Sequence, residues 1–182
     1  MQDFSFRCST FAKGDTMWTP IPGAARYYHF YDRGVLFDGK IYVTGSFTTG
    51  EILDPVTKTW TKWPGWNALA YRPGANPCAV VITVNTIPNI YMCGGDWALA
   101  VCQRYSIAGG WEFVTNLPND CIECTCVVSP TNRNQIIMSQ SSAYSDAIIY
   151  DTLLGIQCWN SQKFLRQIHK IFITLGLKIN HF

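Results

Sequence analysis

Eight cysteines, three histidines and a few turn aspartates are the residues of this 182-residue chain best suited to chemistry. Cys121-x2-Cys124-x-Cys126 has the spacing of half a structural zinc site. A closed tetrahedral site wants a second ligand pair, and no His pair or further Cys-x2-Cys follows. The chain therefore predicts no metal site and no cofactor. Cys78, Cys93, Cys102, Cys126 and Cys158 fall in apolar runs and read as small buried hydrophobes. The even count also allows extracellular disulfides, although no export signal accompanies it. A copper site needs at least two converging imidazoles. Residues 1–160 contain only His29, while His169 and His181 lie in a tail of different character. No Ser-His-Asp set, no Gly-x-Ser-x-Gly and no convergent carboxylate pair is present. Asp38, Asp54 and Asp151 fall in turns, where Asp is expected on conformational grounds. These residues predict a binder, not an enzyme.

The elements that would position any binding residues are strands. In Gly34–Trp60, the apolar run Val35–Phe37 is followed by Asp38-Gly39, which tolerates the positive φ of a two-residue hairpin turn. Lys40–Val43 alternates as a strand, Glu51–Leu53 is a third, Asp54-Pro55 opens the next turn, and Thr57–Trp60 closes on an aromatic. One such four-stranded meander cannot bury both faces alone.

Degenerate copies of it follow. Trp18, Trp60, Trp111 and Trp159 lie 42, 51 and 48 residues apart. The second copy runs Ala79–Val84, Ile90–Cys93 ending at Gly94-Gly95, then Tyr105 and Gly110-Trp111. The third runs Cys126–Val128, Gln135–Met138, Asp146–Asp151 (with Tyr150) and Cys158-Trp159. A period of about 40–50 residues with four strands per unit predicts propeller blades.

GKIYVTG followed by ILDPVTKTW, the double glycine Gly94-Gly95 and the Tyr105-to-Trp111 spacing together resemble the kelch repeat. The resemblance covers about 16–160 and rests on three-fold recurrence, since no copy is complete: Thr44-Gly45 and Ser139-Gln140 stand where a glycine doublet belongs. It implies an all-β, incomplete kelch-type β-propeller of about three four-stranded antiparallel blades. The expected boundaries are a non-repeat segment 1–15, an edge strand 16–22, blades at 24–62, 73–115 and 120–160, and a basic non-repeat tail 161–182. Trp18, Trp60, Trp111 and Trp159 would pack between blades, and Gly94-Gly95 would serve the backbone, not a phosphate, because no helix follows. Three blades do not close a ring, for which four to eight are usual. The chain is therefore expected to be a piece of a larger propeller, or to oligomerise through its open sheet faces.

In such a blade the second-to-third-strand loops and the inter-blade links share one face. That face would carry Phe47, Trp97 and Tyr144 on loops and Arg26, Tyr28 and Arg72 in links. Arg, Tyr and Trp are common interface anchors. Arg26 and Arg72 could equally bridge blades through carbonyl groups. The resemblance implies protein–protein recognition, with a substrate adaptor of a cullin ubiquitin ligase as one expected role. A fragment of a galactose-oxidase-like propeller enzyme is the alternative.

Charge supports neither nucleic acid nor membrane as a partner. Residues 1–160 hold 10 Lys and Arg against 12 Asp and Glu, so the formal net charge of +2 comes from Lys163, Arg166, Lys170 and Lys178. Nucleic-acid binding by the repeats would need a basic face. No apolar run reaches membrane-spanning length, and MQDFSFRCST is not a signal peptide, so a cytoplasmic location is expected. Phe164, Leu165, Ile168, Ile171 and Phe172 have helical spacing; the break in period at a blade boundary favours a replaced C-terminus over a functional amphipathic helix.

Overall fold

The computed structural model describes residues 9–11, 13–21, 33–44, 50–66, 77–95, 100–118, 120–121, 123–139 and 147–158. These form β1 (Ser9–Thr10), β2 (Thr19–Pro20), β3 (Gly34–Phe37), β4 (Lys40–Val43), β5 (Glu51–Asp54), β6 (Thr59–Lys62), β7 (Cys78–Val84), β8 (Ile87–Cys93), β9 (Val101–Ser106), β10 (Gly110–Asn116), β11 (Thr125–Val128), β12 (Gln135–Ser139), β13 (Ala147–Asp151) and β14 (Gly155–Cys158). The fold is all-β. Three antiparallel four-stranded sheets take their strands in chain order, β3–β6, β7–β10 and β11–β14. The expected helical tail lies outside the described residues.

Hairpin chemistry sets the register. Asp38 and Gly39 have φ of 49° and 71°, as the two central positions of a type I′ turn require. Between β7 and β8 the same job falls to Asn85 and Thr86, at 50° and 68°, although a β-branched residue is ill suited to that region. Pro88 pairs with Thr83 on β7 but lies beyond the reach of β9, whose pairing starts at Ile90. Its missing N–H therefore costs the sheet no ladder bond on that side.

The three sheets also close their third turns alike. Asp54 Oδ1 accepts from the Val56 and Thr57 N–H groups at 2.9 and 3.0 Å. Ser106 Oγ accepts from Gly109 N–H at 3.0 Å. Asp151 Oδ1 accepts from Leu153 and Leu154 at 2.9 and 3.1 Å. Each capping residue sits in the last cross-strand pair, opposite Thr59, Gly110 and Gly155 respectively. The cap is thus a repeated feature at one register, with Asp or Ser satisfying turn N–H groups.

The first strands lie side by side, β3 against β7 and β7 against β11. Two interfaces result. Phe37, Tyr42, Ile52, Trp63, Trp66 and Tyr105 pack between the first and second sheets with Ile90 and Met92. Tyr91, Cys93, Cys102, Ile136, Met138 and Tyr150 are among those packing between the second and third. Strand β8 thus sends alternate residues to opposite faces, as the two-residue period of a strand demands.

Two expectations need correction here. Thr19–Pro20, inside the expected edge strand 16–22, pairs with Ser9–Thr10 in a separate two-stranded ribbon and not with a four-stranded sheet. Trp18 does not pack between blades. It is 67% exposed and lies against Phe11, ring centroids 5.2 Å apart.

Candidate functional site

All six expected partner anchors, Arg26, Tyr28, Phe47, Arg72, Trp97 and Tyr144, lie outside the described residues, as does Trp159. The described residues show how the sheets that would carry them are joined.

The joint between the first two sheets is aromatic. Trp63, two per cent exposed, has ring centroids 4.9 Å from Tyr42, 5.3 Å from Tyr105, 5.3 Å from Trp66 and 4.8 Å from Trp111. The contacts to Tyr42 and Tyr105 are edge-on, the arrangement that the ring quadrupole favours. Trp111 reaches across from β10, and its Nε1–H donates to the Pro64 carbonyl at 3.1 Å. Gly50 is small because it must be: an added Cβ would stand 2.7 Å from Trp66 Cε3 and 3.0 Å from Trp63 Cε3.

Trp60 is half-buried, opposite Leu53 on β5, and is not part of this cluster. Trp63 and Trp66 hold the place assigned to it. Strand pairing also revises the repeat alignment. Leu53 faces Trp60, Tyr105 faces Trp111, and Tyr150 faces Ile156. The counterpart of Trp60 and Trp111 in the third sheet is therefore Ile156. Trp159 follows Ile156 by three residues, as Trp63 follows Trp60.

The joint between the second and third sheets is rich in sulfur. Cys93 and Cys102 form a disulfide across β8 and β9, and Cys121 and Cys124 form another in the link before β11. Cys93 and Cys102 are thus not the free buried thiols that the sequence predicts, and the Cys121-x2-Cys124 pair is spoken for. Cys78 and Cys126 are free thiols. A hydrogen bond to Cys78, reinforced by burial, holds the Cys126 thiol well above its ordinary range. Gly94 and Gly95 take φ of 71° and 101°, and Gly95 N–H donates to the Cys121 carbonyl at 3.0 Å. The glycine doublet is a backbone device that lets the Cys121 loop close on the sheet. Among the described residues no three His, Cys, Asp or Glu side chains are grouped to hold a metal.

Two concavities lie at the ends of these sheets. A cleft of about 560 Å³ opens between Val81–Thr83 and Val128–Pro130, with Arg133 at its rim. Ser129 in its wall is internally engaged: its N–H donates to the Gln135 carbonyl at 2.8 Å, and its hydroxyl meets that of Thr131 at 3.1 Å. The other hollow, about 420 Å³, is crossed by Arg104 and Glu112. They are paired through Nη2 and Nε at 2.7 and 2.8 Å, which raises the arginine further.

Burial, followed by the neighbouring Tyr91, pushes the Tyr150 hydroxyl up to about 12. An unfolded tyrosine ionises near pH 10. Stability from the neutral phenol is thus complete below about pH 10 and is lost as pH climbs toward 12. Denaturant midpoints should fall across that window, and Tyr150→Phe should flatten the fall. An unchanged profile in Tyr150→Phe would show that other groups set the alkaline limit.

No protein-family model matches the chain, and no curated protein matches it.

Proposed function

We propose that this chain is a protein-recognition module built of kelch-like propeller blades, which binds a protein partner through the face formed by the second-to-third-strand loops and the inter-blade links. The observation that supports the reading best is the side-by-side packing of the three first strands, each opening a meander of the same order with the same turn cap. Sheets fanned about their first strands present their loops as a common surface, the arrangement that a propeller uses for recognition. Arg26, Tyr28, Phe47, Arg72, Trp97 and Tyr144 supply that surface in this proposal. The two disulfides favour an oxidising compartment, which replaces the cytoplasmic expectation in this reading. Among the described residues no helix is long and apolar enough to cross a membrane.

The test is affinity capture with the whole chain, comparing Arg72→Ala, Trp97→Ala and Arg133→Ala with the parent. The first two changes should each weaken retention of the same partner at least about tenfold, as loss of an anchor does. Arg133→Ala, at the opposite cleft, should leave it unchanged. Retention that survives both loop-face changes, or fails only in Arg133→Ala, would sink the assignment.

A further inference from the structure

The second sheet carries three cysteines in one cross-strand row. Cys78 on β7 stands directly opposite Cys93 on β8, and Cys93 stands opposite Cys102 on β9. Directly paired residues project from the same face with Cβ atoms about 4.5–5.5 Å apart. All three side chains belong to the buried cluster shared with the third sheet. Cys93 is bonded to Cys102, whereas Cys78 is a free thiol.

The backbone ladder decides which bridges the row allows. Gly94 N–H donates to the Val101 carbonyl at 2.9 Å. That bond marks Cys93 and Cys102 as a non-hydrogen-bonded pair, and their Cα atoms are 4.1 Å apart. A central-strand residue then turns its own N–H and C=O toward its other neighbour. Cys93 and Cys78 are therefore a hydrogen-bonded pair, with Cα atoms about 5.5 Å apart. That separation lies in the middle of the span a disulfide bridges. Either neighbour of Cys93 can hold its sulfur without moving a strand.

We propose that this row is a thiol–disulfide exchange site, in which Cys78 displaces Cys102 from Cys93. The Cys78 thiolate attacks Cys93 Sγ, and the Cys78–Cys93 bond forms as the Cys93–Cys102 bond breaks. The electron pair leaves on Cys102 Sγ, which takes up the proton given up by Cys78. One thiol and one disulfide stand on each side, so no oxidant or reductant is consumed. Exchange runs by attack of a thiolate on one sulfur of the disulfide, and the register sets attacking, central and leaving cysteines in one row across three strands. Cys126, hydrogen-bonded to Cys78 and held protonated, is placed to donate to the attacking sulfur. The bridge thereby moves from β8–β9 to β7–β8 and frees Cys102.

Disulfide mapping of the folded chain tests this. The protein is held at pH 8.5, quenched in acid, alkylated under denaturing acid conditions and digested without reduction. A Cys78–Cys93 peptide together with alkylated Cys102 is expected, and both should vanish in Cys78→Ser. In Cys102→Ser the bridge should settle wholly on Cys78–Cys93. A parent protein showing only Cys93–Cys102, with Cys78 alkylated and Cys102 fully protected, overturns the proposal. Because that readout uses the parent chain, it decides the matter even if Cys102→Ser does not fold.

Discussion

Trp63→Ala is expected to lower the free energy of unfolding by about 3–5 kcal/mol, the usual cost of emptying a large aromatic site in a core. The side chain is almost wholly buried and touches four other rings, from both sheets and from the link between them. Small domains hold together by only about 5–15 kcal/mol, so the loss would leave a marginal fold. Trp63→Phe should recover part of it by keeping one ring in the cluster. Trp18→Ala, on an exposed position, should cost less than about 0.5 kcal/mol. Urea unfolding of the three variants checks the ranking. Equal losses for Trp63→Ala and Trp18→Ala would mean that the aromatic layer does not join the sheets.

Gly94→Ala should be nearly as damaging. At φ of 71° a side chain costs about 1–2 kcal/mol on conformational grounds alone. The new Cβ would also meet the Cys121 carbonyl oxygen and stand 2.7 Å from Cys121 Cβ. Overpacking of this kind adds about 1–3 kcal/mol, and it strikes backbone that cannot swing aside. Gly39→Ala is the control: its φ is also 71°, but nothing lies within 4 Å of the added atom. The expected losses are about 3 kcal/mol for Gly94 and about 1 kcal/mol for Gly39. If the two variants melt together, the contact with Cys121 carries no weight and only the dihedral matters.

Strands announced by turn chemistry were legible in the chain. Asp38-Gly39 names its own hairpin, and the alternation of Lys40–Val43 follows from it. Asn85-Thr86 makes the same turn with a residue that ordinarily avoids it, so Ile87–Asn89 could not be added to β8 from composition. The two-residue β1 is too short to show any period. The tryptophans misled for a simple reason. Three of them crowd TKWPGW and its approach, and the turn before Trp60 is one residue longer than those before Trp111 and Ile156. Trp60 and Trp111 do hold equivalent positions, but counting on to Trp159 passed over Ile156, their counterpart in the third sheet, whereas the capping residues Asp54, Ser106 and Asp151 mark the true register. The disulfide between Cys93 and Cys102 was hidden because it depends on which strands pair at which residues. A separation of nine positions between two cysteines says nothing about that.

The middle sheet has no outside along Ile90–Cys93 of β8. Ile90 and Met92 are committed to the aromatic layer, and Tyr91 and Cys93 to the sulfur layer. Each of the four is at most 1% exposed. Every volume change at these four positions is therefore transmitted to one neighbour or the other, with no solvent side to absorb it. Drift in the coding of this protein should consequently be slowest over these four codons and fastest at the exposed outer-strand positions Thr59, Thr61 and Lys62 of β6.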